Sequence, residues 1–129
     1  MPPSALRSAR VGDLLPAALV GAGRTRQLEA TALLLPGTAS VDGYLAQLTA
    51  RADDFAGWDG RVRVLDPDGE AAHRLAVVDR YGQVYAVHDA DDARALPDAR
   101  ALSEWFRFLA TACPECGVLD DPVLTGPTL

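Results

Sequence analysis

The sequence predicts an α/β domain with a central mixed sheet, laid out as strand–helix–strand, then a hairpin, then a long C-terminal helix. Three observations carry this expectation. Ala30, Thr31, Ala32, Leu33, Leu34 and Leu35 form a continuous, almost wholly apolar run that stops at Pro36-Gly37, the pattern of a strand buried on both faces. Val41, Leu45, Leu48, Ala52 and Phe55 follow in steps of four, three, four and three, which places them on one helical stripe. Leu102, Trp105, Phe106 and Leu109 repeat that period near the C-terminus, with Cys113 next in the same register.

The remaining elements are read in chain order. Residues 1–26 form an N-terminal arm; its first sixteen residues are expected to be loose because Pro2, Pro3, Gly12 and Pro16 interrupt any period. Gly21-Ala22-Gly23 lacks the strand-then-helix setting of a phosphate loop and reads as a turn. After the first strand, Ser40 is placed to cap the helix, and Gly57 and Gly60 to end it. Arg61-Val62-Arg63-Val64-Leu65 alternates as a strand should, and Asp66-Pro67-Asp68-Gly69 is turn chemistry. Residues 70–75 are expected to make a short helical turn before a strand at Ala76-Val77-Val78. Asp79-Arg80-Tyr81-Gly82 then turns the chain into a return strand over residues 83–88. Residues 89–94 read as an acidic loop. Pro97 suits the first position of the last helix and Asp98 its first turn, while Pro114 stops it. The domain so defined spans residues 27–117, with a mobile tail over 118–129 and no internal repeat. This element order is that of the thioredoxin fold, in which the first two strands run parallel across a right-handed crossover.

Composition narrows the class. At 129 residues the chain is one domain, long enough to bury roughly two-thirds of its unfolded surface. Hydrophobic residues make up 49 % and charged residues 23 %, a globular balance. The net charge is -6 and all twelve cations are Arg, so a nucleic-acid surface is not expected. No secretory h-region opens the chain and no apolar stretch approaches the ~20 residues of a membrane span, so a soluble cytoplasmic protein is expected. Two cysteines are too few for a disulfide framework.

Three phrases carry a family resemblance. Val11-Gly12-Asp13-Leu14-Leu15-Pro16 resembles the opening of the peroxiredoxins of the alkyl hydroperoxide reductase/thiol-specific antioxidant type. Leu65-Asp66-Pro67-Asp68-Gly69-Glu70 and Val77-Val78-Asp79-Arg80-Tyr81-Gly82-Gln83-Val84 resemble two later segments of that family, in the same order. The likeness covers roughly residues 11–88 and implies a redoxin-like antioxidant protein with a thioredoxin-like fold. The family places Pro-x-x-x-Thr/Ser-x-x-Cys after the first core strand, its thiolate stabilised by a helix N-terminus and an Arg. Here Pro36 and Ser40 match, but Gly43 stands in place of the sulfur, Asp42 opposes an anion beside it, and Arg74 corresponds to the family's Arg with the spacing a residue short. The resemblance therefore implies a degenerate peroxidatic loop: a redoxin-like protein without peroxidase activity, in an accessory or binding role.

Cys113-Pro-Glu-Cys116-Gly keeps three readings open. As a redox pair, Cys113 and Cys116 would make the protein a thiol-disulfide oxidoreductase, with a thiol reductase as its partner. Their place at a helix C-terminus beside Glu115, Asp120 and Asp121 disfavours the reactive thiolate. As one knuckle of a zinc site, the pair would need two more ligands, from His73 and His88 or from a second chain. The third reading is a buried Cys113 and an unused Cys116. His73 and His88 read more simply as packed or surface residues, and Asp89, Asp91 and Asp92 as a solvated loop, since they lack the Gly and terminal Glu of an EF-hand. Trp58 and Phe108 lie off the apolar stripes and are read as the contact patch of a homodimer, whose paired Cys113/Cys116 segments would supply four sulfurs to zinc.

Overall fold

A computed structural model describes residues 4–16 and 29–111 of the chain. Cys113, Cys116, the tail over 118–129 and the Gly21–Gly23 turn lie outside the described residues. Within them the chain is α/β. A short α1 (Ser4–Arg7) precedes β1 (Ala30–Leu35), followed by α2 (Asp42–Ala50), α3 (Ala52–Gly57) and β2 (Gly60–Val64). The hairpin β3 (His73–Val78) and β4 (Val84–Ala90) leads through a 3-10 turn at Ala93–Ala95 to α4 (Ala99–Thr111). The sheet order is β2-β1-β3-β4, with β1 and β2 parallel and β3 antiparallel to both its neighbours. This mixed sheet, strand–helix–strand then hairpin and long C-terminal helix, is the expected architecture and is consistent with a thioredoxin-like arrangement.

β1 is buried at all six positions and divides the core in two. Ala30, Ala32 and Leu34 face Val41, Tyr44 and Leu48 of the α2 segment, Phe55 of α3, and Ala99, Leu102, Phe106 and Leu109 of α4. Leu33 and Leu35 face the other way, where they join Leu6, Ala9, Ala76, Val78 and Val84. Each fully buried Leu or Phe contributes roughly 1.5–3 kcal/mol to such a core. Phe55 and Phe106 meet edge-to-face at 5.2 Å, joining the crossover helices to α4. Gly60 makes this possible, because a Cβ there would lie 2.3 Å from Cγ of Phe106.

Five local expectations are corrected. Residues 4–16 are not loose. Leu6 is fully buried because the second face of β1 needs an apolar cover, and a backbone bridge ties Leu14 to Gln83. Arg7 also fixes the segment, donating from Nε and Nη2 to both carboxylate oxygens of Asp68 at 2.8 and 2.9 Å. The crossover is two helices, not one. Only Ala52 lies on the stripe between Leu48 and Phe55, too small an anchor for a continuous helix, and Ala52 is exposed while Tyr44 is buried. Ser40 accepts the N–H of Asp42 at 3.2 Å from one position outside the cap.

The strand β3 starts at His73, so residues 73–75 are not helical. Pairing of Leu35 with Arg74 and Leu34 with Leu75 overrides the helix-forming Glu-Ala-Ala that precedes them. Last, α4 begins at Ala99, leaving Pro97 outside it. Asp98 is the capping side chain, its Oδ1 accepting the N–H of Ala101 at 2.8 Å.

Gly60→Ala is expected to cost about 1–3 kcal/mol in urea unfolding, since the added Cβ would overlap the fully buried Phe106 ring. The Arg7 hydrogen bonds hold the Asp68 carboxyl down at about 2. Its folded value lies below the ordinary ~3.9, so the stabilisation is complete above that pH and is lost as the pH falls through about 2. Acid titration of Arg7→Met should show stability that depends less on pH across this window than that of the native chain.

Candidate functional site

In open α/β sheets the C-terminal ends of parallel strands are where loops gather into sites. Here the loop from β1 to α2, the loop from β2 to β3 and the end of β4 meet at that edge. Pro36 and Gly37 are buried, whereas Thr38, Ala39 and Ser40 are exposed. Gly37 has no room for a side chain: a Cβ would lie 2.0 Å from the carbonyl oxygen of Ala71. The Gly37 N–H donates to Nδ1 of His73 at 2.7 Å, and the Thr38 N–H donates to the Ala71 oxygen at 3.3 Å. Two loops are thus locked together, and α2 starts from a fixed position.

The structure places Pro36, Ser40 and Gly43 along this one loop and the first turn of α2. Gly43 is exposed, and a Cβ there would meet nothing within 4 Å. The site that the family resemblance assigns to sulfur therefore has space and a helix N-terminus, but no nucleophile, and the Asp42 carboxylate stands beside it. Arg74 is not brought to it. Strand alternation puts Arg74 on the same face as Ala76 and Val78, opposite to the face covered by α2. Among the described residues its guanidinium donates to the Ala9 carbonyl oxygen and to Asp89 Oδ2 at 3.4 Å. It anchors the N-terminal segment.

His73 is fully buried on β3. Because Nδ1 accepts from Gly37, the neutral ring carries its proton on Nε2, and that atom has no partner among the described residues. His88, opposite Leu75 on β4, shares the α2-bearing face and also has a buried Nε2 without a partner there. The packed reading of His73 holds, and the residue does more than fill space, because it fixes the loop that leads into α2. Sequence offered no signal for this, since the hydrogen bond joins residues 36 positions apart.

The acidic residues expected in a loop over 89–94 do not converge, and Asp89 lies within β4, opposite Arg74. Asp89 pairs with Arg74, while Asp92 accepts from both the backbone and the side chain of Arg94, which holds its carboxyl down at about 2. Among the described residues no group of three or more His, Cys, Asp or Glu could hold a metal ion. No described helix is long and apolar enough to cross a membrane.

Trp58 and Phe108 are both partly exposed, and they line different hollows. Trp58 carries the Arg107 guanidinium over its ring at 5.7 Å and lines a small hollow with Ala30 and Leu109. Phe108 lines a larger one with Tyr85, Ala101, Glu104 and Trp105. The sequence does not single out Tyr85, which gains its place from a β-bulge that alternation does not reveal. Neither the protein-family models nor the curated proteins include a match to this chain.

Two substitutions test this geometry. His73→Leu removes the acceptor of the Gly37 N–H and should cost about 1–3 kcal/mol, read by chemical denaturation. Gly43→Ala meets open space inside a helix and should stabilise the protein by about 0.5–1 kcal/mol in the same assay.

Proposed function

We propose that the protein is a redoxin-like domain without peroxiredoxin-type peroxidase activity, acting in a redox-associated accessory or binding role. One observation carries this reading: Gly43 occupies the first turn of the helix that follows the first core strand, where the resemblance calls for the attacking sulfur. A glycine supplies no nucleophile, and the neighbouring Asp42 carboxylate opposes the anion that such chemistry builds. Arg74, which would have stabilised that anion, is committed to Ala9 and Asp89. The α/β order, with its parallel β1–β2 unit and β3–β4 hairpin, supports the redoxin part of the reading without distinguishing it from other small α/β domains.

The rival reading is a thiol-disulfide oxidoreductase working through Cys113 and Cys116, which follow closely on the end of α4 at Thr111. The negative pole of that helix disfavours thiolate, which weighs against fast exchange. A thiol-alkylation pH profile separates these readings, with a mid-point above ~8.5 expected for the accessory role and reactive thiolate near neutral pH for the oxidoreductase. Peroxide consumption by the pure protein with a thiol reductant tests the absence of peroxidase activity. The expected rate is that of the reductant alone, unchanged in Cys113→Ser and Cys116→Ser. Turnover that either substitution abolishes would overturn the proposal and move catalysis to the C-terminal pair.

A further inference from the structure

A backbone bond at the end of β1 depends on the charge state of a buried side chain. His73 has no solvent exposure, and its Nδ1 accepts the Gly37 N–H at 2.7 Å. Its Nε2 is also buried, without a partner among the described residues. A ring nitrogen accepts only while it is bare, and the imidazolium carries a proton on both nitrogens. With Nε2 already protonated, a second proton on His73 must take Nδ1. Two N–H groups would then face each other across the 2.7 Å contact. Protonation of His73 and the Gly37 bond exclude each other.

The ionisable groups on this side of the sheet are His88, Asp92, Tyr44 and Asp98. His88 is a diagonal neighbour of His73 across the hairpin, since His88 pairs with Leu75 and His73 with Ala90. A charge on His88 opposes one on His73. Asp92, beyond the end of β4, lies within electrostatic reach of His73 and favours the imidazolium. Its bonds to Arg94 hold the Asp92 carboxyl down at about 2, so it is charged at neutral and mildly acid pH. Tyr44 of α2 donates to the Pro97 carbonyl oxygen, and burial, then Asp98, push its hydroxyl up to about 12, so it is neutral there. Asp98 caps α4, and the loop from β1 offers Pro36 and the Gly37 backbone. Arg74 and Asp89 lie on the opposite face.

We infer that His73 is a pH-sensitive latch on the loop from β1 to α2: taking up a proton breaks its bond to Gly37 and frees residues 37–40 and the start of α2 to move. The closed loop holds a neutral ring and the open loop a protonated one. Opening therefore takes up one proton and is favoured as the pH falls. An imidazole in water takes its proton near ~6.5, so each pH unit below that favours the open loop by about tenfold. The Thr38 N–H bond to the Ala71 oxygen, at 3.3 Å, is then the remaining backbone tie between the two loops among the described residues. The pairs of β1 with β2 and β3 do not involve the titrating group, so release is confined to the loop. The latch needs only this geometry and stands apart from the redoxin reading of the same loop.

Amide hydrogen exchange read by NMR on the full chain, corrected for the intrinsic pH dependence of exchange, tests the inference. Between about pH 8 and about pH 5, protection of the Gly37 N–H should fall at least about tenfold, while the Leu33 and Leu34 amides keep theirs. The ring nitrogen shifts of His73 should show a bare Nδ1 at the higher pH. His73→Asn sets Oδ1 where Nδ1 stood, an acceptor that does not titrate in this range, and should hold Gly37 equally at both pH values. His88→Gln should leave the native response in place. Unchanged protection of Gly37, an equal loss throughout β1, or a proton on Nδ1 at the higher pH overturns the inference. These outcomes are read on the native chain and decide the matter even if His73→Asn does not fold. A response that persists in folded His73→Asn also overturns it, as does one that His88→Gln removes, because His88 would then be the sensor.

Discussion

β1 leaves no face for water, and the rest of the domain is arranged to satisfy it. All six of its residues are buried, so both sides of the sheet at its centre need an apolar layer. α2, α3 and α4 supply one through Tyr44, Leu48, Phe55, Leu102 and Phe106. Among the described residues the other comes from the N-terminal segment, where Leu6 and Ala9 close over Leu33 and Leu35. Polar bonds reinforce that second layer. Arg7 grips Asp68 on the β2–β3 connection, and Arg74 reaches from β3 to the Ala9 carbonyl. An Arg whose sequence position resembles that of a catalytic residue thereby serves to hold the N-terminal segment in place.

The same burial positions the loop that follows. Once β1 ends at Leu35, Pro36 and Gly37 are still inside the protein, and their backbone must be satisfied there. His73 meets this need for Gly37, while the close approach of Ala71 excludes any side chain at that position. The first turn of α2 is held firmly as a result. What it presents is a glycine and an aspartate. A rigid loop, a helix N-terminus and open space at position 43 provide the setting for anion chemistry, and the residue types withhold the chemistry itself. The proposed accessory role rests on this combination of a helix N-terminus with open space and no nucleophile.

Much of the fold is legible in the sequence because it rests on local periodicity. The run in β1, the stripe of α4 and the turn at Asp79–Gly82 each declare themselves within a dozen residues. What escapes depends on contacts distant in sequence. The two buried residues Leu6 and Ala9 are too few to mark a packed segment amid prolines, and only the bare second face of β1 makes them necessary. The start of β3 is hidden by helix-forming residues that strand pairing overrules. That start also decides where two candidate residues point. With β3 beginning at His73, alternation turns Arg74 away from α2 and His73 toward it. At the candidate site, Pro36, Ser40 and Gly43 lie where their spacing places them, whereas the Tyr85 cluster follows from a bulge that no alternating pattern reveals.

If position 43 is without a nucleophile and no other sulfur has taken its place, folding should confer no special reactivity toward peroxide on any cysteine. Mass spectrometry with a sulfenate-trapping dione reads this directly, comparing the native and the urea-unfolded chain after one equivalent of hydrogen peroxide. The adduct at Cys113 and Cys116 should form no faster in the native protein than in the unfolded one. A sulfenate that appears far faster in the folded chain would contradict the reading, because it would show a thiol activated by the fold.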